Sequence, residues 1–259
     1  MSSVKPEIRQ GVILDHLMQV GHADLSTLAE LCGVSQMTIH RDLDSLDDAG
    51  LLRKVRGGAT VEASSHFESN VRYRERVSAS EKAAIAEAAA ALIEPGMSVM
   101  LDDGSTVGAV LPHLIARAPL TVITACVGVV NVLSSTPGIN TIAAGGTYSA
   151  RFDAFQGPNT VSQLQQLRAD IALLSSSALA GTVAYHQEEQ NVAAKRAMLA
   201  SATDAYLLID PKKFGLTALH VMADVSEFTG LIVAETPPAQ TVDAMKKANK
   251  SVIIAGQPS

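Results

Sequence analysis

Apolar positions in the first sixty residues recur at helical spacing in three stretches and then give way to runs short enough for strands. Ile8, Val12, Leu14 and Leu17 predict a helix from Pro6 to Val20, with Pro6 suited to its first turn and Gly21 ending it. Leu25, Leu28 and Leu31 suit a second, short helix, and Cys32-Gly33-Val34 supplies a tight turn in which Gly33 is the turn residue. Ser35 then reads as the N-cap of a third helix, because its hydroxyl accepts from a first-turn N–H while Ile39, Leu43 and Leu46 share one buried face. Ala49-Gly50 ends that helix, and Leu51 to Val61 reads as two short strands around a Gly-Gly turn.

From Ser80 the pattern changes to helices alternating with short, unbroken apolar runs. Ser80 is expected to cap Glu81 to Ile93, an Ala-rich helix stopped by Pro95-Gly96. The strand candidates are Ser98 to Leu101, Leu120 to Thr124, Asn140 to Ala144, Asp170 to Leu174, Ala205 to Ile209, Gly230 to Ala234 and Val252 to Ala255. Runs apolar on both faces belong to buried parallel strands, and helices such as Val107 to Ala118 and Thr236 to Lys250 lie between them. The fold class is therefore α/β, with a mostly parallel central sheet covered on both faces. A length of 259 residues suggests two domains. The division expected is a winged helix-turn-helix at 1–61, a linker at 62–79 and a larger α/β domain at 80–259. Within the linker, Glu62 to His66 is small and polar, and Val71-Arg72-Tyr73-Arg74-Glu75-Arg76 reads as a solvated connecting helix or arm.

The third helix carries chemistry on its outer face. Met37 and Arg41 point most directly outward, Thr38 and His40 flank them, and Ser35 and Gln36 complete the first turn. Arg53, Lys54 and Arg56 add three cations on the wing. Such groups reach base edges and phosphates. Asp44 and Asp48 lie further along the same face, where phosphates would repel them, so only the N-terminal half of the helix should enter a groove. The net charge of −6, and eight Asp/Glu against six Lys/Arg in residues 1–60, give no bulk attraction to nucleic acid. Placement carries the argument: the cations cluster on helix and wing, while Asp24, Glu30 and Asp47 sit on other faces, and non-specific binding should be weak.

Residues from about 8 to 61 resemble the amino-terminal domain of the DeoR family of bacterial transcriptional regulators. The family pattern is Ser-x-x-Thr-Ile-Arg-Arg-Asp-Leu, then a Leu and a Gly, then a basic wing ending His-Gly-Gly-Ala. Here it runs from Ser35 to Leu43 and ends Arg56-Gly57-Gly58-Ala59. His40 replaces the first Arg and Arg56 the His, so the operator sequence is this chain's own. Residues from about 75 to 256 resemble the family's effector domain, which is similar in fold to ribose-phosphate isomerase. The resemblance implies a DNA-binding regulator, most simply a repressor of a sugar-catabolic operon. Its implied partners are double-stranded operator DNA, a phosphorylated sugar or related metabolite as effector, and further copies of itself as a homodimer or homotetramer.

The loop Leu101-Asp102-Asp103-Gly104-Ser105-Thr106, at a strand end entering a helix, combines a tight turn at Gly104 with two hydroxyls and free helix N–H groups, which suits an anion. The same loop also reads as Asp102 or Asp103 merely capping the helix. The family's Asp-x-Gly-Thr-Thr loop implies effector contacts for Asp102, Gly104, Ser105 and Thr106. Its Gly-Gly to Gly-Pro spacing recurs at Gly145-Gly146 and Gly157-Pro158, enclosing Arg151, a phosphate partner or a surface residue. Lys213, in Asp210-Pro211-Lys212-Lys213-Phe214-Gly215, matches a family lysine that neutralises phosphate, and a salt bridge to Asp210 is the alternative. Lys195 matches another, with Asn191 where an acid is usual. Two departures are Ala125 at a strand end where Asn is common and Ser175-Ser176-Ser177 in place of a Phe-x-Gly turn.

The competing reading is an enzyme that isomerises or deaminates a phosphosugar, with Asp103 or Glu189 as general base and Lys213 on the phosphate. No recognisable acid–base constellation supports it. Seven histidines lack metal-ligand spacing, no Gly-x-Ser-x-Gly elbow occurs, and Cys32 and Cys126 stand apart, so no cofactor, metal or disulfide is expected. Neither a charged-then-apolar leader nor a run of ~18 apolar residues is present, which points to the cytoplasm and away from a membrane.

Overall fold

The computed structural model describes residues 5–62 and 71–256. The linker's small polar stretch from Ala63 to His66 lies outside them. The described chain forms two compact units that divide after Val77.

In the first unit, helices Pro6–Val20, Leu25–Cys32 and Gln36–Asp48 close around Ile13, Leu17, Leu28, Ile39, Leu43 and Leu46. The first helix is rotated from its expected setting. Ile13, Leu17 and Met18 are buried with Arg9, whereas Ile8 is 60 % and Val12 39 % exposed. The reason is Arg9: its guanidinium donates 2.9 Å from Nη2 to Asp42 Oδ1 and also from Nε to Oδ2, joining the first helix to the third, so the buried face turns toward this pair. Leu31, expected in the core, is 46 % exposed, and Ala29 packs in its place. Asp24 caps the second helix by accepting from Thr27 N–H at 2.8 Å. Hydrogen bonds from Ser26 and Thr27 hold its carboxyl down at about 2. Its stabilising effect is thus complete above the ordinary carboxylate range and is lost only as pH falls through about 2.

The wing strands Arg53–Val55 and Gly58–Thr60 pair antiparallel, and a strand absent from the sequence reading, His22–Asp24, pairs with the second of them. Gly58 is required there, since a Cβ would fall 2.1 Å from the Ala23 carbonyl oxygen. Val71–Arg76 is a short helix whose Tyr73 packs on this unit's core.

The second unit holds seven parallel strands: β1 Ser98–Leu101, β2 Leu120–Thr124, β3 Ile139–Ala143, β4 Ala169–Ser175, β5 Ala202–Ile209, β6 Gly230–Val233 and β7 Ser251–Ile254. Their order across the sheet is β7-β6-β5-β4-β1-β2-β3. Side chains alternate between two cores, Met100, Ala172, Leu174 and Leu207 on one face and Val99, Leu101, Ile171 and Leu173 on the other. Burial on both faces explains why each strand reads as an unbroken apolar run.

Helices differ more from expectation. Ser80 lies inside the helix Ala79–Ala90 and hydrogen-bonds Glu81, while Ser78, at φ 54°, precedes the first turn. The expected helix from Val107 to Ala118 is two short pieces, Ser105–Gly108 and Leu111–Ile115. Pro237 and Pro238 delay the next expected helix to Ala239–Lys247. Short antiparallel additions also escaped the pattern: the hairpin Thr147–Ser149 with Ala154–Gln156, and a sheet of Ala178–Ala180, Val183–His186 and His220–Asp224. Among the described residues no helix is long and apolar enough to cross a membrane.

Candidate DNA interface and effector site

Ser35 Oγ accepts from Thr38 N–H at 3.2 Å, which fixes the start of the helix Gln36–Asp48. Its buried stripe is Ile39, Asp42, Leu43 and Leu46. Gln36, Met37, His40 and Arg41 are exposed and Thr38 is half-buried, so the first two turns present an unobstructed hydrogen-bonding and cationic edge. On the wing, Arg56 is exposed and Arg53 half-buried. Lys54 is not a free cation: it reaches back to the carboxylate of Asp44 on the helix.

In the second unit the chain runs from β1 through β2 to β3 on one side, then returns to β4 and continues away on the other. The carboxyl ends of β1 and β4 therefore flank the switch point, where open α/β sheets form their crevice. Asp102, just past β1, is 3 % exposed. Its Oδ1 accepts from Gly104 N–H at 2.8 Å, and its Oδ2 accepts from Ser175 N–H at 2.6 Å and Ser175 Oγ at 3.0 Å. The Ser175 that departs from the family turn is thus the partner that seats Asp102.

Lys195, 2 % exposed, projects from the helix Glu189–Ser201 onto this loop. Its ammonium contacts Asp102 and lies 3.0 Å from Asp103 Oδ1. Burial alone would lower its pKa, but the two carboxylates outweigh burial and hold it above the ordinary lysine value. Asn191 donates to Asp103 Oδ2 at 2.7 Å and is itself held by the Gln156 amide. Asp103 is therefore engaged from two sides, and Glu189 is exposed on the first turn of its helix. A cavity of about 20 Å³ beside Asp103, Asn191 and Lys195, walled by Ala125, Phe155 and Met198, has room for roughly one water. Burial pushes the nearby Cys126 thiol up to about 11, which leaves it protonated and unreactive at neutral pH.

The hydroxyl side of the loop has a different partner. Lys82, 4 % exposed on the helix Ala79–Ala90, donates to Ser105 Oγ at 3.0 Å. One residue on, the Thr106 hydroxyl is buried with no hydrogen-bond partner among the described residues. Lys82 escaped the sequence reading, although a signal exists: it falls in line with Ile85, Ala86 and Ala89 on the stripe that packs against the sheet. A lysine on such a stripe is rarely there for packing alone. The helix Ser105–Gly108 is a single turn, so side chains rather than a macrodipole supply the local field.

The remaining candidates lie around this centre. Lys213 donates to the Ser176 carbonyl at 2.6 Å and sits 3.7 Å from Asp210. Arg151, at the tip of the 147–156 hairpin, lies 4.0 Å from Glu188 and over the Phe152 ring, while Ala154 and Phe155 of that hairpin wall the cavity. Gly145 and Gly146 are packed on the helix Pro158–Gln165: the Gly145 carbonyl accepts from Thr160 Oγ1 at 3.0 Å, and Gly146 has no room for a side chain toward Thr160. Gly104 is the sterically critical residue, since a Cβ there would stand 1.8 Å from Ser175 Oγ and 2.9 Å from Asp102 Oδ1. Gly104→Ala is expected to destabilise the protein by about 1–3 kcal/mol, read from urea unfolding, because neither neighbour can withdraw without breaking the Asp102 cluster.

Two family models match the chain: the DeoR-like helix-turn-helix domain over residues 9–65 and the DeoR C-terminal sensor domain over residues 77–235. The chain belongs to the DeoR family. It is a DNA-binding transcriptional regulator. An L-fucose operon activator of Haemophilus influenzae is 33 % identical over 89 % of this chain and 92 % of its own length. A glycerol-3-phosphate regulon repressor of Escherichia coli is 28 % identical over 93 % of this chain and 96 % of its own. Ribose 5-phosphate isomerase A of Methanocaldococcus jannaschii is similar at 16 % identity and a TM-score of 0.39, over 51 % of this chain and 53 % of that one. The relatives matched along their full length are regulators rather than enzymes, which sets the isomerase-like reading aside.

Proposed function

We propose that the protein is a cytoplasmic, homo-oligomeric regulator of a sugar-catabolic operon, acting most simply as a repressor, whose hold on operator DNA is set by a phosphorylated sugar bound at the end of β1. The supporting observation is the turn after β1, which carries the Ser105 hydroxyl held by the Lys82 ammonium, the buried Thr106 hydroxyl with no partner among the described residues, and Asp103 paired with Asn191. The first three suit a phosphate, and the amide and carboxylate suit sugar hydroxyls. In this reading Lys195 orders the loop instead of meeting the anion, since two carboxylates already neutralise it. Lys213 and Arg151 flank the site, and Gly104, Gly145 and Gly146 shape it. The relatives bear on the same point from two sides, one named for fucose and activation, the other for glycerol 3-phosphate and repression. In the head, Ser35, Gln36, Met37, Thr38, His40 and Arg41 read bases, with Arg53 and Arg56 on phosphates.

The cavity of about 20 Å³ is too small for a sugar, so binding requires the loop or the 147–156 hairpin to open. The test is a thermal-shift screen of sugar phosphates against their unphosphorylated counterparts. At least one phosphate ester is expected to raise Tm where its parent sugar does not, with the rise lost in Thr106→Val. Equal responses to sugar and ester would remove the phosphate from the proposal.

A further inference from the structure

The structure assigns Asp44 and Lys54 a joint role: the pair neutralises a wing cation on the DNA-facing side of the head and thereby limits the phosphate-driven part of its affinity for DNA. Asp44 lies on the exposed face of the helix Gln36–Asp48, two turns beyond Met37 and one turn beyond His40 and Arg41, opposite the buried stripe of Ile39, Leu43 and Leu46. Its side chain is 58 % exposed and that of Lys54 31 %, so the contact between them is at the surface and accessible to solvent. The two residues span the seam between recognition helix and wing. A DNA backbone that follows the groove occupied by the helix meets the wing across this seam.

A surface ion pair of this kind adds little to folding. Its effect on binding is larger, because the phosphate term scales with the number of cations free to neutralise phosphates. Lys54 paired to Asp44 is one cation fewer. Asp44 unpaired would be a negative charge facing the phosphates. The head already carries more acidic than basic residues, so Arg41, Arg53 and Arg56 are the remaining helix and wing cations. The phosphate term is shared by every duplex, so holding one cation back lowers affinity for random and selected DNA alike and leaves the base contacts of the first two turns to carry the discrimination.

Fluorescence anisotropy of the full-length protein on a random-sequence duplex, across a salt series, tests this directly. Asp44→Asn is expected to tighten random-duplex binding by about three- to tenfold at ~150 mM salt and to steepen the slope of log K against log salt by about 0.9. Lys54→Gln is expected to leave that slope nearly unchanged in the parent protein and to remove the added 0.9 when combined with Asp44→Asn. Asp44→Glu should behave as the parent. Circular dichroism melting of each variant should match the parent, which separates a charge effect from a folding defect. An unchanged slope in folded Asp44→Asn would overturn the proposal. So would a full unit of slope lost in Lys54→Gln alone, since Lys54 would then already be a phosphate contact. Loss of binding to duplexes selected by the protein from a random pool, without a gain on random DNA, would instead make Asp44 a base-reading residue.

Discussion

Lys195→Met is expected to be the most damaging single change in the α/β unit, lowering unfolding free energy by about 3–5 kcal/mol in urea titrations. The Lys195 ammonium is the cation for two carboxylates, one of them buried as deeply as itself. Methionine fills similar volume but leaves Asp102 and Asp103 without a counter-charge at the carboxyl end of β1, and removing one partner of a buried pair costs far more than the pair contributes. Lys195's raised pKa means that its contribution is complete below the ordinary lysine value of 10.5 and is lost only as pH climbs through the higher folded value. A Met variant with parent-like stability at neutral pH would show that Lys195 is dispensable to the loop.

The second large effect is expected in the head. Arg9→Met should cost about 3–5 kcal/mol by stranding Asp42, whose carboxylate otherwise takes two hydrogen bonds from the Arg9 guanidinium and a longer one from Gln10. The head is small, so a loss of this size unfolds a large share of it and with it DNA binding. Replacing the whole pair, as Arg9→Met with Asp42→Leu, should recover most of the stability, because apolar groups of similar size then fill the gap. The double variant keeps the outer face of the recognition helix and is expected to bind DNA again. Additive losses in the two single variants and the double one would mean that the residues do not act as a pair.

These two residues also mark where the sequence was legible and where it was not. Local signals carried far: the apolar runs of β1 to β7 and the Ser35 cap could be located within one residue, except that β5 begins three residues earlier than its apolar run, because buried parallel strands and N-caps are written in adjacent positions. What was not legible depended on partners distant in sequence. Arg9 and Asp42 are 33 positions apart, and nothing local says that an arginine in the first helix is buried, so the helix's inward face was set wrongly toward Ile8 and Val12. Strand His22–Asp24 is three residues long and exists only because Gly58–Thr60 lies beside it. At the site, the loop from Asp102 to Thr106 was visible as a motif, but Lys195's engagement by two acids and Ser175's hold on Asp102 come from residues 73 to 93 positions away. Lys82 was legible in principle, as a charge on an otherwise apolar stripe, and was overlooked.

The most direct test of the central claim, that the site at the end of β1 governs DNA binding, is one titration. Duplex selected by the full-length protein from a random pool is bound at ~150 mM salt, with and without the phosphate ester that raises Tm. The account predicts that this ester shifts the dissociation constant by about 5- to 150-fold, and that Thr106→Val binds the same duplex but ignores the ester. An ester that binds the protein yet leaves the dissociation constant unchanged would contradict it.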